Sequence, residues 1–314
     1  MFSLKDLHLR WSQVMTRKVS VIGQGFVGGS ITTVLNERNI ESFVFDIAGK
    51  VAKGGTASGA NSLVEHVKIC DKLDINTHFL CLPTPMTELG SADTSIVLSA
   101  IADIASIPIP GTRERIVIVK STVPPGSCAS WDNHYSFQGT RVVFSPEFLT
   151  EARCLDDMRE QDRIILGGHP VPVAQVAMIM SSAFPGVPVI RMTASEAEMV
   201  KYLANCYLAT KVSFANEMKQ ICDSLTKMGI SCDFNNVIQA ATLDKRLGES
   251  HWQTPGPDGL AGFGGSCFPK DINALIVIAR IAGVDPTVLE AVWNKNLEVR
   301  PERDWEKLKG RAVV

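Results

Sequence analysis

Residues 18–46 read KVSVIGQGFVGGSITTVLNERNIESFVFD. A short apolar run, Val19 to Ile22, leads into Gly23-x-Gly25-x-x-Gly28. A helical stretch follows, then a second apolar run, FVFD, ending in Asp46. This order constrains the fold more than any other feature of the chain. Strand, glycine turn, helix and second strand make a βαβ unit, which calls for a parallel sheet with helices on its faces. Glycines allow a tight turn and close approach of the backbone to a pyrophosphate, and an acidic residue at this spacing grips a ribose diol. Gly23, Gly25, Phe26, Val27, Gly28 and Asp46 are therefore candidate dinucleotide contacts. No arginine directly follows Asp46, which favours NAD over NADP. The alternative for Asp46 is a solvated strand end.

More buried strands follow at α/β spacing: THFLCLP (77–83), RIVIVKST (115–122), RVVFSPE (141–147) and RIILGG (163–168), with a helical segment at 93–106. Continuous apolar strands of this kind belong to a sheet covered on both faces. Polar residues gather where several strands end: Thr84, Ser121, Thr122 and Glu147. Open α/β sheets bind ligands at the carboxyl ends of parallel strands.

After VPVIRMT the pattern becomes helical. Residues 195–228 predict one long helix, capped by Thr193 or Ser195, with Glu198 placed for a capping box. Between 199 and 218 it is apolar nearly all round, which implies burial against other elements or another subunit. Lys201 and Asn205 break this at i, i+4 and share one face. They are either a pair lining an active-site cleft or a snorkelling lysine beside a core asparagine. The expected organisation is a Rossmann-like parallel α/β domain over 16–192, then a mainly α-helical domain over 193–314 that binds substrate and dimerises.

Eight cysteines are scattered without C-x-x-C pairs or zinc-like histidine spacing, so no metal is expected. Cys267 differs from the others by its setting, GFGGSCFPKD (262–271). It stands between a glycine-rich loop and a helix start, with Pro269 suited to a first helical position and Asp271 to the first turn. Backbone N–H groups and the positive end of a helix dipole stabilise a thiolate. A nicotinamide fold, such a cysteine, a lysine on a buried helix and strand-end carboxylates together suit oxidation of an alcohol through a covalent thio-intermediate.

Net charge is −2 with no long run of either sign, which gives no reason to expect nucleic acid or an anionic membrane as partner. No apolar run reaches the roughly 18 residues of a membrane span. The N-terminal MFSLKDLHLRWSQVM lacks the apolar middle and cleavage site of a signal peptide, so a cytoplasmic protein is expected. Met15 directly precedes the first strand and is a candidate functional start, which would make 1–14 a dispensable extension.

From about Lys18 to about Ala282 the chain resembles the UDP-glucose/GDP-mannose dehydrogenase family, whose members oxidise a nucleotide sugar twice to a uronate. The marks, in order, are GQGFVGGS, CLPTP, STVPPGS, SPEFLTEA, EAEMVKYLANCYL and GFGGSCFPKD. The resemblance implies NAD as cofactor and a nucleotide-sugar substrate, with Cys267 as nucleophile. Lys201 would be acid/base and oxyanion stabiliser with Asn205 as its partner, and Asp271 and Thr122 would position water. Glu147 would be the base in thioester hydrolysis, and Glu151 would hold sugar or water near Lys201. Thr84, Ser121 and Thr122 would line the cofactor side, and Phe148, Leu149, Phe263, Gly264 and Gly265 the sugar side. A homodimer is also implied, with Arg246 reaching from one subunit into the other's site. The chain departs from the family pattern in two places. It ends at Val314, before the usual third domain, and so resembles a compact branch; and it carries an extra TPGPDG segment at 254–259. UDP-glucose, UDP-N-acetylmannosamine and GDP-mannose stay open as substrates. A two-electron β-hydroxyacid dehydrogenase would need no cysteine, and a non-catalytic NAD-binding scaffold would not need Lys201, Glu147 and Cys267 together.

Overall fold

A computed structural model describes residues 18–109, 111 and 113–314. Met15, the extension 1–14 and residues 16 and 17 of the expected first domain lie outside them. The first elements in chain order are β1 (Lys18–Ile22), α1 (Phe26–Glu37), β2 (Glu41–Phe45), β3 (Thr56–Ala57), α2 (Leu63–Lys72), β4 (Thr77–Leu80) and α3 (Ser95–Ala105). Next come β5 (Arg115–Val119), α4 (Ser127–Tyr135), β6 (Thr140–Phe144), α5 (Cys154–Arg159), β7 (Ile164–Gly167), α6 (Pro170–Ala183) and β8 (Val189–Met192). Four helices complete the chain: α7 (Ala194–Lys227), α8 (Phe234–Ala241), α9 (Phe268–Ile281) and α10 (Thr287–Val299).

Among the described residues the eight strands form one sheet in the order β3-β2-β1-β4-β5-β6-β7-β8. Along β5 the side chains alternate between two apolar layers. Ile116 and Ile118 pack with residues of α1 and α6, while Val117 and Val119 pack with residues of α2, α3 and α4. Burying each such side chain contributes roughly 1.5–3 kcal/mol. A polar residue in this interior needs a partner. Ser20 in β1 shares a hydrogen bond with His66 Nε2 (2.7 Å), and burial pushes that imidazole down to about 4.

The sheet is the expected Rossmann-like α/β sheet, mostly parallel, with β7 and β8 running against the other six strands. Neighbouring pairs run parallel except β6 and β7, which meet antiparallel at Phe144 and Gly167. A parallel neighbour needs a crossover that returns along the whole strand, usually a helix. Between Phe144 and Ile164 the chain makes only a short 3-10 turn (Glu151–Arg153) and the six-residue α5. That helix packs on α1, where Arg159 pairs with Glu37 at 2.6 Å.

The capping of α7 also differs from expectation. The helix begins at Ala194, so Thr193 is its cap and the box partner is Glu196. Thr193 N–H donates to Glu196 Oε2 (2.8 Å) and Glu196 N–H to Thr193 Oγ1 (3.3 Å). Glu198 is fully buried and caps a different helix. Its carboxylate accepts the amides of Gly126 (2.6 Å) and Cys128 (2.8 Å) at the start of α4.

The chain forms two compact units, divided inside α7. The first contains the sheet and runs to Pro83, then from Thr94 to Lys201; the second comprises Thr84–Asp93 and Tyr202–Val314. In the second unit the core is built on Cys206, Ala209, Phe263, Ile272, Ile276 and Val292, contributed by α7, α9, α10 and the glycine-rich loop. Residues 84–93 join the C-terminal stretch: Met86 N–H donates to Ala312 O (2.8 Å) and Val314 N–H to Met86 O (3.0 Å).

Candidate active site

The glycine turn of the first unit is closed by backbone and carboxylate together. Gly23 N–H donates to Phe45 O (2.8 Å), and Gln24 N–H donates to Asp46 Oδ2 (2.7 Å). The other oxygen of Asp46 accepts Ala48 N–H (2.9 Å), so the carboxylate is fixed beside the turn. A Cβ on Gly28 would overlap the Gly23 carbonyl, which explains that glycine by packing alone. Gly25 is different. It caps α1 with an ordinary negative φ, and a Cβ there would meet no protein atom within 4 Å. The residues present thus fit a dinucleotide: an open backbone cradle at a helix start, where amides and dipole favour an anion, with an acid fixed next to it. Phe26 and Val27 form the first helical turn, with Phe26 exposed. Ser121 Oγ donates to Leu82 O (2.6 Å) and accepts Leu82 N–H (3.1 Å), tying the ends of β5 and β4. Thr122 is buried next to it, and Thr84 is buried in the second unit.

Beyond β6 the same unit holds a buried ion pair. Lys201 Nζ donates to Glu147 O (2.6 Å) and Glu147 Oε1 (3.1 Å), and Glu147 Oε2 accepts Leu149 N–H (2.7 Å). The Lys201 side chain is 5% exposed and that of Glu147 11%. Burial pushes the Glu147 carboxyl up, but the Lys201 ammonium, the Leu149 amide and Lys120 outweigh it and hold the group below the usual carboxylate range. The Phe148 ring lies between cations, with Arg163 at 4.3 Å and Lys201 Nζ at 5.5 Å from its centroid. Glu151 is exposed at the start of the 3-10 turn. Lys120 is an addition to the expected set. Its Nζ donates to Ser145 Oγ (3.2 Å) and Pro146 O (3.1 Å), just before Glu147, and burial pushes it down to about 8. A lysine inside the apolar run RIVIVKST was the available signal.

In the second unit α9 begins directly after Cys267, and Asp271 N–H donates to Cys267 O (3.0 Å) in its first turn. Asp271 is 1% exposed. Its carboxylate receives Asn205 Nδ2 at 2.5 Å and Lys270 Nζ at 2.5 Å. Asn205, which the family resemblance assigns to Lys201 as partner, is thus hydrogen-bonded to Asp271. Cys267 is half-buried, and its Sγ lies 3.8 Å from Ser266 Oγ. Burial pushes the Cys70 and Cys81 thiols up to about 12, and those of Cys128 and Cys206 higher, so these four stay protonated. Phe263 is buried, with Gly264 and Gly265 leading on to Cys267. Arg246 is 88% exposed at its side chain and pairs with Asp244 at 2.5 Å. Among the described residues no group of three His, Cys, Asp or Glu could hold a metal ion. Among them, too, no helix is long and apolar enough to cross a membrane.

Comparison with known proteins also matches two successive segments of the chain. Residues 17–182 match the NAD binding domain of the UDP-glucose/GDP-mannose dehydrogenase family, and residues 195–298 match its central domain. A UDP-glucose 6-dehydrogenase of Haloferax volcanii is 30% identical over 94% of this chain and 72% of its own length. One from Rickettsia bellii is 36% identical over 73% of this chain, but only 51% of its own length is spanned. Among solved structures, a UDP-glucose dehydrogenase from Pyrobaculum islandicum superposes with a TM-score of 0.74 at 29% identity, covering 93% of this chain and 70% of that one.

Proposed function

The chain belongs to the UDP-glucose/GDP-mannose dehydrogenase family, with the family's NAD-binding domain at its start, and on that premise we propose that it oxidises the primary alcohol of a nucleotide sugar to a carboxylate. UDP-glucose, giving UDP-glucuronate, is the substrate we assign first. The observation that carries this reading is Cys267 at the amino end of α9, four residues before Asp271, whose buried carboxylate accepts Asn205 Nδ2.

The Gly23–Gly28 turn and Asp46 would hold NAD, which when bound would accept one hydride, so two NAD molecules bound in turn would take up the two hydrides. The Lys201 ammonium stabilises the substrate oxygen as negative charge develops on it. The Cys267 thiolate adds to the aldehyde carbon of the first oxidation, forming a C–S bond and a thiohemiacetal. Its oxidation leaves a thioester. The family resemblance assigns Thr122 and Asp271 to hold a water and the Glu147 carboxylate to take its proton, and the C–S bond breaks to release the acid and return the thiolate. Glu147 suits that task because it is held ionised. Each sugar oxidised is therefore expected to yield two NADH. The measurement is NADH absorbance against limiting UDP-glucose, UDP-N-acetylmannosamine or GDP-mannose. One NADH per turnover, with free aldehyde as end product, would sink the mechanism.

The same reading assigns a homodimer with a second copy on α7. Leu203 (65% exposed), Tyr207 (58%) and Phe214 (54%) form an uncovered stripe on that helix, continued by Met199 and Ile221. Apolar residues spaced by four and seven along one helix face are covered by a partner in stable assemblies, and a two-fold dimer is the commonest. Leu203→Glu with Phe214→Glu is expected to convert the dimer to monomer by light scattering. Mixing Arg246→Ala with Cys267→Ala chains is expected to restore activity, because one hybrid site retains both residues. A wild-type chain that is monomeric and fully active at assay concentration would refute both.

A further inference from the structure

We propose that Arg300 is a positioning residue for the Cys267 loop, acting through Asp258 and Asp304 to fix the backbone of Gly262–Gly265. The proposal rests on the reading of Cys267 as nucleophile.

Arg300 follows α10 and is 2% exposed. Its Nη2 donates to Asp258 Oδ2 (2.6 Å), its Nε to Asp304 Oδ1 (2.6 Å) and its Nη1 to Ala261 O (3.3 Å). The second oxygen of Asp304 accepts Gly265 N–H (3.1 Å), two residues before Cys267. A Cβ on Gly264 would overlap both Arg300 Nη2 and Asp304 Oδ1, so the loop backbone lies directly against this ion cluster. The rest of the loop is pinned in the same manner. Gly262 N–H donates to Asn216 Oδ1 (3.2 Å), Phe263 N–H to Asn296 Oδ1 (2.7 Å), and Asn296 Nδ2 to Phe263 O (2.9 Å).

A run of three glycines in four residues has more backbone freedom to lose than any other sequence. Left to itself it would present the thiol in many orientations, and a misplacement of about 1 Å costs on the order of 10²-fold in rate. A guanidinium suits the task because its planar fork reaches two carboxylates and a carbonyl at once, whereas an ammonium acts as a point charge. A buried ion cluster is a poor general stabiliser compared with apolar packing, but it specifies geometry well. Asp258 belongs to the extra segment 254–259, and Leu260 N–H donates to its Oδ1 (3.1 Å). The inserted residues thus have a function in this account: they supply the outer carboxylate of a clasp on the catalytic loop.

The test uses Arg300→Lys, which keeps the charge but not the fork, and Asp258→Asn in the full chain. Asp258 is half-exposed (49%), so its variant folds even if the arginine variant does not. Three quantities are read: amide exchange across 261–266, kcat and KM with UDP-glucose, and the Kd for NAD. Expected are exchange faster by about tenfold or more in the loop and kcat lower by roughly 10- to 100-fold. NAD affinity is expected to stay within about twofold, since the Gly23–Gly28 turn and Asp46 lie in the sheet unit. Asp258→Asn shows the same pattern with a smaller kcat loss. Loop exchange at the wild-type rate in both variants would overturn the proposal, as would faster exchange with unchanged kcat. A kcat loss matched by an equal loss of NAD affinity would also overturn it, because that reports general unfolding. Normal turnover by Cys267→Ser is a separate result: it overturns the nucleophile reading and leaves the exchange data unaffected.

Discussion

Cys267→Ser is expected to lower turnover by on the order of 10³-fold or more while leaving NAD affinity unchanged. A serine hydroxyl is scarcely ionised at neutral pH, whereas a thiol at a helix start is stabilised as thiolate by the amides and dipole there. The oxygen ester that a serine would form also hydrolyses more slowly than a thioester. The variant therefore fails twice, at addition and at release, and any protein that reacts is expected to accumulate as a covalent adduct. Intact-mass measurement after incubation with NAD and UDP-glucose detects that adduct, and the dinucleotide contacts proposed at Gly25 and Asp46 are untouched by the substitution. Four of the other thiols, Cys70, Cys81, Cys128 and Cys206, offer no substitute, because burial keeps them protonated. Turnover within about tenfold of wild type would refute the nucleophile assignment, since a group that forms and breaks the bond cannot be removed so cheaply.

What could be read in advance was what local chemistry dictates. The βαβ unit at 18–46 announces itself because strand, glycine turn and helix each carry a signal within a few residues. The long helix α7 does so because its apolar pattern persists across its length. Pairings over long separations were not legible in that way. Glu198 looks like a box partner in sequence, and only the fold brings the start of α4 to its carboxylate, 70 residues earlier in the chain. Asn205 and Asp271 are 66 residues apart, and Lys201 and Glu147 are 54 apart. Residue type made each a candidate, and the family resemblance supplied the roles, but neither predicts the partner. Lys120 was visible as an anomaly inside an apolar strand. Arg300 gave no signal, because nothing near it in sequence hints at the glycine loop. The antiparallel turn of β7 was hidden for a similar reason: its apolar pattern is the same whichever way the strand runs.

Lys201→Met is expected to destabilise the sheet unit by about 3–5 kcal/mol at pH 7, the usual cost of removing one partner from a buried pair, and to lower turnover by roughly 10²- to 10⁴-fold. The methionine fills the space of the lysine stem, so the loss is electrostatic. Glu147 in the wild type is lowered below its usual 4.5 because Lys201, the Leu149 amide and Lys120 together outweigh burial. A folded pKa below the unfolded one contributes stability that is present above 4.5 and disappears only as pH falls through the lowered value. Without Lys201 the main charge opposing burial is gone, so the folded pKa is expected to rise. The charged carboxylate then costs stability at pH 7, and the cost fades as pH falls and the group takes up a proton. The gap between wild type and variant is therefore expected to narrow from pH 7 to pH 5. Lys120, which burial pushes down to about 8, stays largely charged across that range and does not confuse the comparison. The double variant Lys201→Met with Glu147→Gln is expected to recover most of the stability, because neither member of the pair is left charged without the other, yet none of the turnover. Urea unfolding followed at both pH values separates these outcomes. If the single variant melts like wild type at pH 7, or if its deficit grows toward pH 5, the pair is not the buried, mutually charged unit on which the proposed chemistry depends.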